Sequence, residues 1–222
     1  MSVPKEKLQS EIIQRDGWSW PRDDGVAFEH IQMYLPLLRL AARQAVNRRV
    51  AIQAGGNAGI HPAELAVMFD RVITFEPERL NFRCLEMNVK KFKNVEAHCG
   101  VLGDSTTPVE LKRVQGMKDG ELCENTGAWK VADGGGNIPQ QRIDDLNLKH
   151  LDFLQLDVEG YELKVLQGGK KTIERCSPVI MVEVMNHGED PRPFLEDLDY
   201  HRIIKGDFDH VYVRNNGTPD LR

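Results

Sequence analysis

The spacing of apolar residues changes character along the chain. Near the N-terminus Ile31, Leu35, Leu38, Ala42 and Ala45 recur at helical spacing, which predicts an amphipathic helix. Pro36 falls inside that pattern, so a kink there or two short helices are expected. From Val50 onward, short apolar runs alternate with helical periods. Residues 50–52 read as a buried strand entering a glycine-rich turn, and 62–69 as a short helix with Pro62 near its first turn. Residues 71–76 form the second predicted strand, 78–91 a helix with Phe82, Leu85 and Val89 on one face, and 94–102 the third strand. A fourth strand at 151–157 leads to a helix from about 162. The fifth, at 178–184, is nearly all apolar, as a parallel strand covered on both faces should be.

After a short helix at 194–198, two strand signals at 202–204 and 210–213 are separated by only five residues, so they must pair antiparallel. Strands alternating with helices predict an α/β fold: a doubly wound, mostly parallel, Rossmann-like sheet closed by a C-terminal antiparallel β-hairpin. Residues 1–47 stand apart as an N-terminal helical, Trp-rich cap carrying Trp18 and Trp20, and 48–222 form the main domain. Within it, residues 107–139 are polar and Gly-rich. They read as a hairpin or lid insertion with strand-like pieces at 109–114 and 127–131 and a flexible turn at Gly134-Gly-Gly136.

Composition narrows the class. A chain of 222 residues with 41% hydrophobic and 28% charged residues suits one soluble α/β domain. No apolar run approaches the ~20 residues of a membrane span, and the first residues offer no stretch that a signal peptide could use. The expected compartment is therefore the cytoplasm, with no membrane partner. A net charge of -5 argues against a nucleic-acid partner. The basic run Lys90-Lys91-Phe92-Lys93 ends a predicted helix, where cations suit the dipole, and reads as a solvated face. Cys84, Cys99, Cys123 and Cys176 are scattered, without disulfide or zinc spacing, and read as buried reduced thiols.

The candidate chemistry begins at Gly55-Gly56-Asn57-Ala58-Gly59, directly after the first strand. Glycine there lets backbone approach a ligand and exposes the amides of the next helix. Tight strand-to-helix turns also need glycine for conformation alone. Glu76 gives the turn more meaning. It ends the second strand, where an open α/β sheet places it beside the first turn, ready to accept hydrogen bonds from ribose hydroxyls. That pairing marks adenosine-type ligands in general, but the glycines miss the G-x-G-x-x-G spacing of dinucleotide sites.

At this point the chain resembles the FkbM-type methyltransferases, a class I family dependent on S-adenosylmethionine. Gln53-Ala-Gly-Gly-Asn-Ala-Gly59 is similar to the family's Asp-x-Gly-Ala-Asn-x-Gly block. Phe75-Glu-Pro and the Asn81-Phe … Asn88 stretch match its second block, and Val101-Leu-Gly-Asp104 follows in place. Ile143-Asp-Asp-Leu146 with Leu151-Asp-Phe-Leu-Gln-Leu-Asp-Val-Glu-Gly-Tyr-Glu162 resembles the most specific signature, and 178–184 the strand that closes it. The C-terminal hairpin is likewise typical of class I methyltransferases rather than dehydrogenases. The resemblance implies a site for S-adenosylmethionine at Gln53, Gly55, Gly56, Asn57, Gly59, Glu76, Pro77, Gly100 and Val101. Two departures stand out: Gln53 replaces an acid that helps hold the cofactor's ammonium, and Gln155 stands where lysine is common.

The resemblance also implies a hydroxyl acceptor, on a small or glycan-like molecule, and hence a base to take its proton. Asp157, at the end of the fourth strand, and Glu159, in the turn after it, are the candidate catalytic pair: one is the base, or a residue that orients the acceptor. Asp157 capping the following helix is the structural alternative, while Glu162 is expected to stabilise that helix start. Asp157, Glu183 and Asn186 end adjacent strands with hard oxygen ligands, but no compact motif is present and no metal is expected. His187 is a candidate acceptor contact. Trp20 is another, through stacking, although covering the pocket serves it equally well. His30, His61, His98, His150, His201 and His210 show no arrangement beyond packing. Two competing functions remain: a non-catalytic S-adenosylmethionine- or nucleotide-binding protein, motivated by Gln53, and an NAD-dependent oxidoreductase, disfavoured by the glycine spacing.

Overall fold

The computed structural model describes residues 11–114, 116–118, 121–123, 125, 127–132, 134–184 and 188–215. Among the described residues the first elements are β1 (Ile12–Arg15) and β2 (Trp18–Pro21), which pair as a hairpin. Its two-residue turn, Asp16-Gly17, has φ 49° and 83°, and two positive φ values suit the twist of a tight hairpin. Helix α1 (Ala27–Arg43) follows. Its start is held by Asp24, whose carboxylate accepts the amides of Ala27 at 3.1 Å and Phe28 at 3.0 Å and the Trp20 indole N–H at 2.9 Å. The helix runs unbroken through Pro36. Pro36 is exposed, so water can reach the Gln32 carbonyl that the missing N–H leaves free.

The alternating elements then come in order: β3 (Val50–Ala54), α2 (Ile60–Ala66), β4 (Arg71–Phe75), α3 (Arg79–Val89) and β5 (Val95–His98). The third predicted strand divides here, since β6 (Val101–Leu102) leaves the sheet and pairs in parallel with β11 (Gln140–Gln141). Between them lies the insertion. Its β7 (Glu110–Arg113) and β10 (Trp129–Ala132) pair antiparallel, and beyond them β8 (Gly116–Lys118) pairs with β9 (Glu121–Cys123). The chain closes with β12 (Phe153–Leu156), α4 (Glu162–Gly168), α5 (Lys170–Cys176), β13 (Val179–Glu183), α6 (Arg192–Asp197), β14 (Tyr200–Lys205) and β15 (Asp209–Arg214).

Seven strands form the central sheet in the order β14-β15-β13-β12-β3-β4-β5. The five from β5 to β13 are parallel, and β15 and β14 return antiparallel as the terminal hairpin. Alternate residues of each strand enter different cores. Ile52, Ile73, Leu154 and Ile180 pack toward α4 and α5, whereas Ala51, Val72, Phe153 and Met181 pack toward α1 and α2 with Leu38, Ala41 and Leu65. Each of the large side chains is fully buried, a contribution of roughly 1.5–3 kcal/mol apiece before entropy is counted. At the base of the sheet Asp152 accepts the backbone amides of Arg49 at 2.9 Å and Val50 at 3.2 Å, and pairs with the Arg49 guanidinium at 2.6 Å. This clamp fixes β12 against β3 in the register that brings Asp157 level with Gly55.

Candidate functional site

Strand order reverses on either side of β3: β4 and β5 lie to one side, β12 and β13 to the other. Loops leaving the carboxyl ends of β3 and β12 therefore diverge and open a crevice, the usual ligand site of such sheets. Gly55 lies there at φ 84°, its amide donating to the Phe75 carbonyl at 3.0 Å. A Cβ on Gly55 would fall 1.8 Å from the Asp157 carbonyl oxygen, so only glycine lets the two loops touch. Asn57, at φ 44°, donates its amide to Glu76 Oε2 at 2.7 Å, and Glu76 Oε1 accepts the Glu78 amide at 2.8 Å. Burial pushes the Glu76 carboxyl up to about 8, although these amides and the Asn81 side chain favour its charged form.

Two connected hollows occupy the crevice and share Gly55, Glu76, Gly127, Asp157 and Glu159. The narrower is an apolar slot between Phe75, Pro77, Gly100, Val101, Leu102, Trp129, Val158 and Tyr161. The larger, about 370 Å³, continues past Gly56 and Asn57 to Tyr34 and His30 on α1, His61 on α2, and Glu183, Phe208 and Asp209. The described lining of both hollows contains five carboxylates and no lysine or arginine.

The sheet aligns three of these acids. Glu183 pairs with Asp209 across β13 and β15, and Asp157 continues β12 one residue past Leu156, which is level with Val182. Burial together with the neighbouring charges, Asp209 first, raises the Asp157 carboxyl well above the usual range. Burial, reinforced by Asp157, likewise holds Glu183 protonated, and its Oε2 meets no hydrogen-bond partner. Burial lifts Asp209 to about 6 and Glu159 to about 7, the latter reinforced by Glu162 and opposed by Lys130. Glu159 occupies the left-handed region at φ 55°, followed by Gly160 at φ 97°, a strained turn of the kind that aims a side chain. Glu162 stabilises this turn by accepting the amides of Val158 at 3.0 Å and Gly160 at 3.1 Å. Asp157 does not cap α4, whose N-cap is Tyr161 without a side-chain bond.

The expected cofactor residues separate into two groups. Gly55, Gly56, Asn57, Glu76, Pro77, Gly100 and Val101 line the hollows. Gln53 and Gly59 shape the turn behind them: the fully buried Gln53 amide donates to the Gly55 carbonyl at 2.9 Å and accepts the Thr74 hydroxyl at 2.6 Å. Gly59 starts α2 at φ 93°, packed on Leu85. Trp20 is displaced from the role expected of it. It is fully buried in a separate cluster with Phe28, Ala58 and Cys84, edge-on to Phe28, and lines neither hollow. His187 and Asn186 lie outside the described residues. Of the cysteines expected to be buried, Cys84 is, Cys176 is half-buried and Cys99 is exposed. Tyr34, His61, Asp209 and Trp129 were not singled out by the sequence, and folding alone brings them to the site. Among the described residues no group of three or more His, Cys, Asp or Glu side chains is placed to hold a metal ion, and no helix is long and apolar enough to cross a membrane.

A mostly parallel seven-stranded sheet ending in a reversed hairpin, with a glycine turn and an acid at neighbouring strand ends, defines the class I methyltransferase architecture. The model of the methyltransferase FkbM domain matches residues 53–211, and the chain belongs to that family. Among solved structures, methyltransferase FkbM from Methylobacillus flagellatus KT superposes with a TM-score of 0.55 at 15% identity, over 83% of this chain and 60% of that one. This chain thus spans about three fifths of that relative's length. Precorrin-6y C5,15-methyltransferase from Geobacter metallireducens GS-15 aligns with a TM-score of 0.48 at 14% identity, over 90% and 95% of the two chains. An rRNA methylase from Streptococcus thermophilus gives 0.48 at 10% identity, over 81% and 94%. No curated protein matches the sequence significantly.

Proposed function

We propose that this chain is an S-adenosylmethionine-dependent O-methyltransferase acting on a hydroxyl of a small or glycan-like acceptor. The observation that carries the reading is the convergence of Glu76 and Asp157 on the Gly55-Gly56 turn, at the point where strand order reverses. The residues fit the cofactor. Glu76 offers oxygens for ribose hydroxyls, and the slot between Phe75, Pro77, Val101 and Trp129 is apolar enough for an adenine ring. The acids beyond Gly55, facing no lysine or arginine among the described lining residues, leave this part of the cavity without positive charge.

When bound, S-adenosylmethionine supplies an electrophilic methyl group on a sulfonium. The chain's part is to hold the acceptor in line and keep water out. The insertion serves exclusion, since Gly127, Trp129 and Val131 close one side of the crevice. A hydroxyl must also lose its proton. Glu159, titrating near neutrality, is the better-matched base. Asp157, whose carboxyl burial and its acidic neighbours push well above the usual range, is suited to orient the acceptor through a hydrogen bond.

Calorimetry with S-adenosylmethionine and with NAD tests the first step, and transfer of labelled methyl to a panel of saccharides and small alcohols tests the second. Binding of the sulfonium cofactor and methylation of a hydroxyl are expected. Tight NAD binding without any response to S-adenosylmethionine would overturn the proposal. Cofactor binding without transfer to any member of the panel would favour the non-catalytic binding function that Gln53 suggests.

A further inference from the structure

The strand that carries Trp18, Ser19 and Trp20 precedes the residues that match the family, and the proposed chemistry makes no use of it. It is nevertheless seated behind the glycine turn. Trp20, fully buried, clusters with Ala58, Ile60 and Cys84, and Trp18 packs against the cluster of Ala63, Leu85 and Val89. Between the two tryptophans, one side chain of α3 meets the Ser19 backbone twice. The Ser19 amide donates to Asn88 Oδ1 at 2.8 Å, and the Ser19 carbonyl accepts Asn88 Nδ2 at 2.8 Å.

Asn88 Nδ2 also donates to the Ala58 carbonyl, at 2.7 Å. The sequence explains why that carbonyl needs a side-chain donor. Helical pairing in α2 begins with the Ala63 amide donating to the Gly59 carbonyl at 3.1 Å, and the same pattern would assign the Ala58 carbonyl to residue 62. That residue is Pro62, which has no N–H. Ala58 is fully buried, so the donor must come from the protein. Asn88 supplies what Pro62 lacks, and its oxygen and nitrogen are then both engaged. Ala58 in turn adjoins Asn57, whose amide meets Glu76 Oε2 at 2.7 Å.

We propose that Asn88 is a positioning residue for the cofactor site: by tying the Ala58 carbonyl to the Ser19 backbone it holds the Asn57 amide on Glu76, and it makes the N-terminal hairpin the brace of the glycine turn. The Ala58 amide donates to Asn57 Oδ1 at 2.7 Å and the Ala58 carbonyl is held by Asn88, so neither peptide group beside Ala58 can rotate without breaking a bond. Removing the Asn88 amide leaves the carbonyl buried and unpaired. The turn is then free to swing toward another donor, carrying Asn57 out of the left-handed conformation at φ 44° that aims its amide.

This rests on the reading of the crevice as a site for S-adenosylmethionine, and the test keeps the two apart. Asn94 is the matched control. Its Nδ2 also donates to two backbone carbonyls, of Ala66 at 2.8 Å and Phe69 at 2.9 Å, but just before β5 begins, at the end of the sheet away from the crevice. Asn88→Ala and Asn94→Ala should each lower the melting temperature. Calorimetry with S-adenosylhomocysteine should show a loss of about fivefold or more in Asn88→Ala and a change within about twofold in Asn94→Ala. In the ligand-free protein the Asn57 amide proton, drawn downfield in the NMR spectrum by its bond to Glu76, should move upfield in Asn88→Ala and stay in place in Asn94→Ala. Asn88→Asp keeps the acceptor for Ser19 but loses both donors, and it provides the same comparisons should Asn88→Ala fail to fold. An unmoved Asn57 signal, or an equal loss of affinity in the Asn88 and Asn94 variants, would overturn the positioning role. Failure of the unaltered protein to bind S-adenosylhomocysteine would overturn the cofactor reading instead, since the Asn57 signal tests the brace without ligand.

Discussion

The amide of Asn57 donates to the carboxylate of Glu76 across a buried 2.7 Å bond, tying the glycine turn after β3 to the end of β4. The bond needs Asn57 at φ 44°, a conformation that asparagine tolerates better than most residues. Glu76 consequently has two roles: it fixes the turn, and it faces both hollows as the proposed ribose ligand. Glu76→Ala should weaken S-adenosylhomocysteine binding by roughly tenfold or more, the worth of one or two hydrogen bonds. Calorimetry reads that loss, and a thermal melt of the same sample shows whether the orphaned amides also cost stability. Unchanged affinity in the folded variant would remove the ribose assignment.

Gly55 meets Asp157 with no room to spare, since an added Cβ would lie 1.8 Å from the Asp157 carbonyl oxygen. Gly134 shares its positive φ, at 81°, but has nothing within 4 Å. The two glycines separate conformational strain from contact. Gly134→Ala should lower the melting temperature by about 2–8 °C, the cost of a positive φ alone at this chain length. Gly55→Ala should lower it much further and abolish cofactor binding. Equal melting temperatures for the two variants would show that the loops do not depend on this contact.

The parts of the site legible in the sequence are those carried by contiguous blocks. The glycine turn, Glu76 and Asp157 each follow a strand whose apolar pattern is plain, so topology places them together without knowledge of side-chain packing. His61 was opaque because its position depends on α1 lying across α2, a tertiary contact between segments of different periodicity. The Glu183–Asp209 pairing depends on the register of an antiparallel strand that no local pattern reports. Trp20 misled for the opposite reason. Its type suggested stacking on a ligand, but its indole N–H is taken by Asp24 and its ring by Phe28. The hairpin that holds it was signalled only by Asp16-Gly17, within a segment otherwise read as helical cap. Pro36 predicted a kink or two short helices; a single helix continues through it, and its exposed position removes most of the penalty for staying helical.

The acidic lining makes ligand-free stability depend on pH. Glu159 and Glu76 titrate at about 7 and about 8 when folded, above their ordinary values. The folded chain therefore binds these protons more tightly than the unfolded chain, and the stabilisation is lost as pH rises through the folded values. His61, held neutral by burial and lowered to about 4, acts in the opposite sense, but its contribution is complete above its unfolded value near 6.5. Between about pH 6.5 and 8.5 only the carboxylates count, so the melting temperature should fall by several degrees. A melting temperature that is flat or rising over that interval would mean that these acids are solvated more freely than their burial implies.

Glu159 and Asp157 are separated as base and orienting acid by their different titration, and substitution can test that division. Glu159→Gln keeps the shape of the turn but removes the group that accepts the acceptor's proton. The expected outcome is a fall in kcat of about a hundredfold or more, the usual scale of general-base catalysis. S-adenosylhomocysteine affinity should change by only a few-fold, because Glu76 and the Gly55 turn are untouched. The rate of the unaltered enzyme should rise with pH through a value near 7 as Glu159 ionises, and that dependence should disappear in Glu159→Gln. Asp157→Asn should retain the rise near 7 and lose mainly acceptor affinity, since an amide can still donate a hydrogen bond but holds the acceptor with altered geometry. If Asp157→Asn instead removes the pH dependence and Glu159→Gln preserves it, the two roles are reversed, and the base is the residue at the strand end rather than the one in the strained turn.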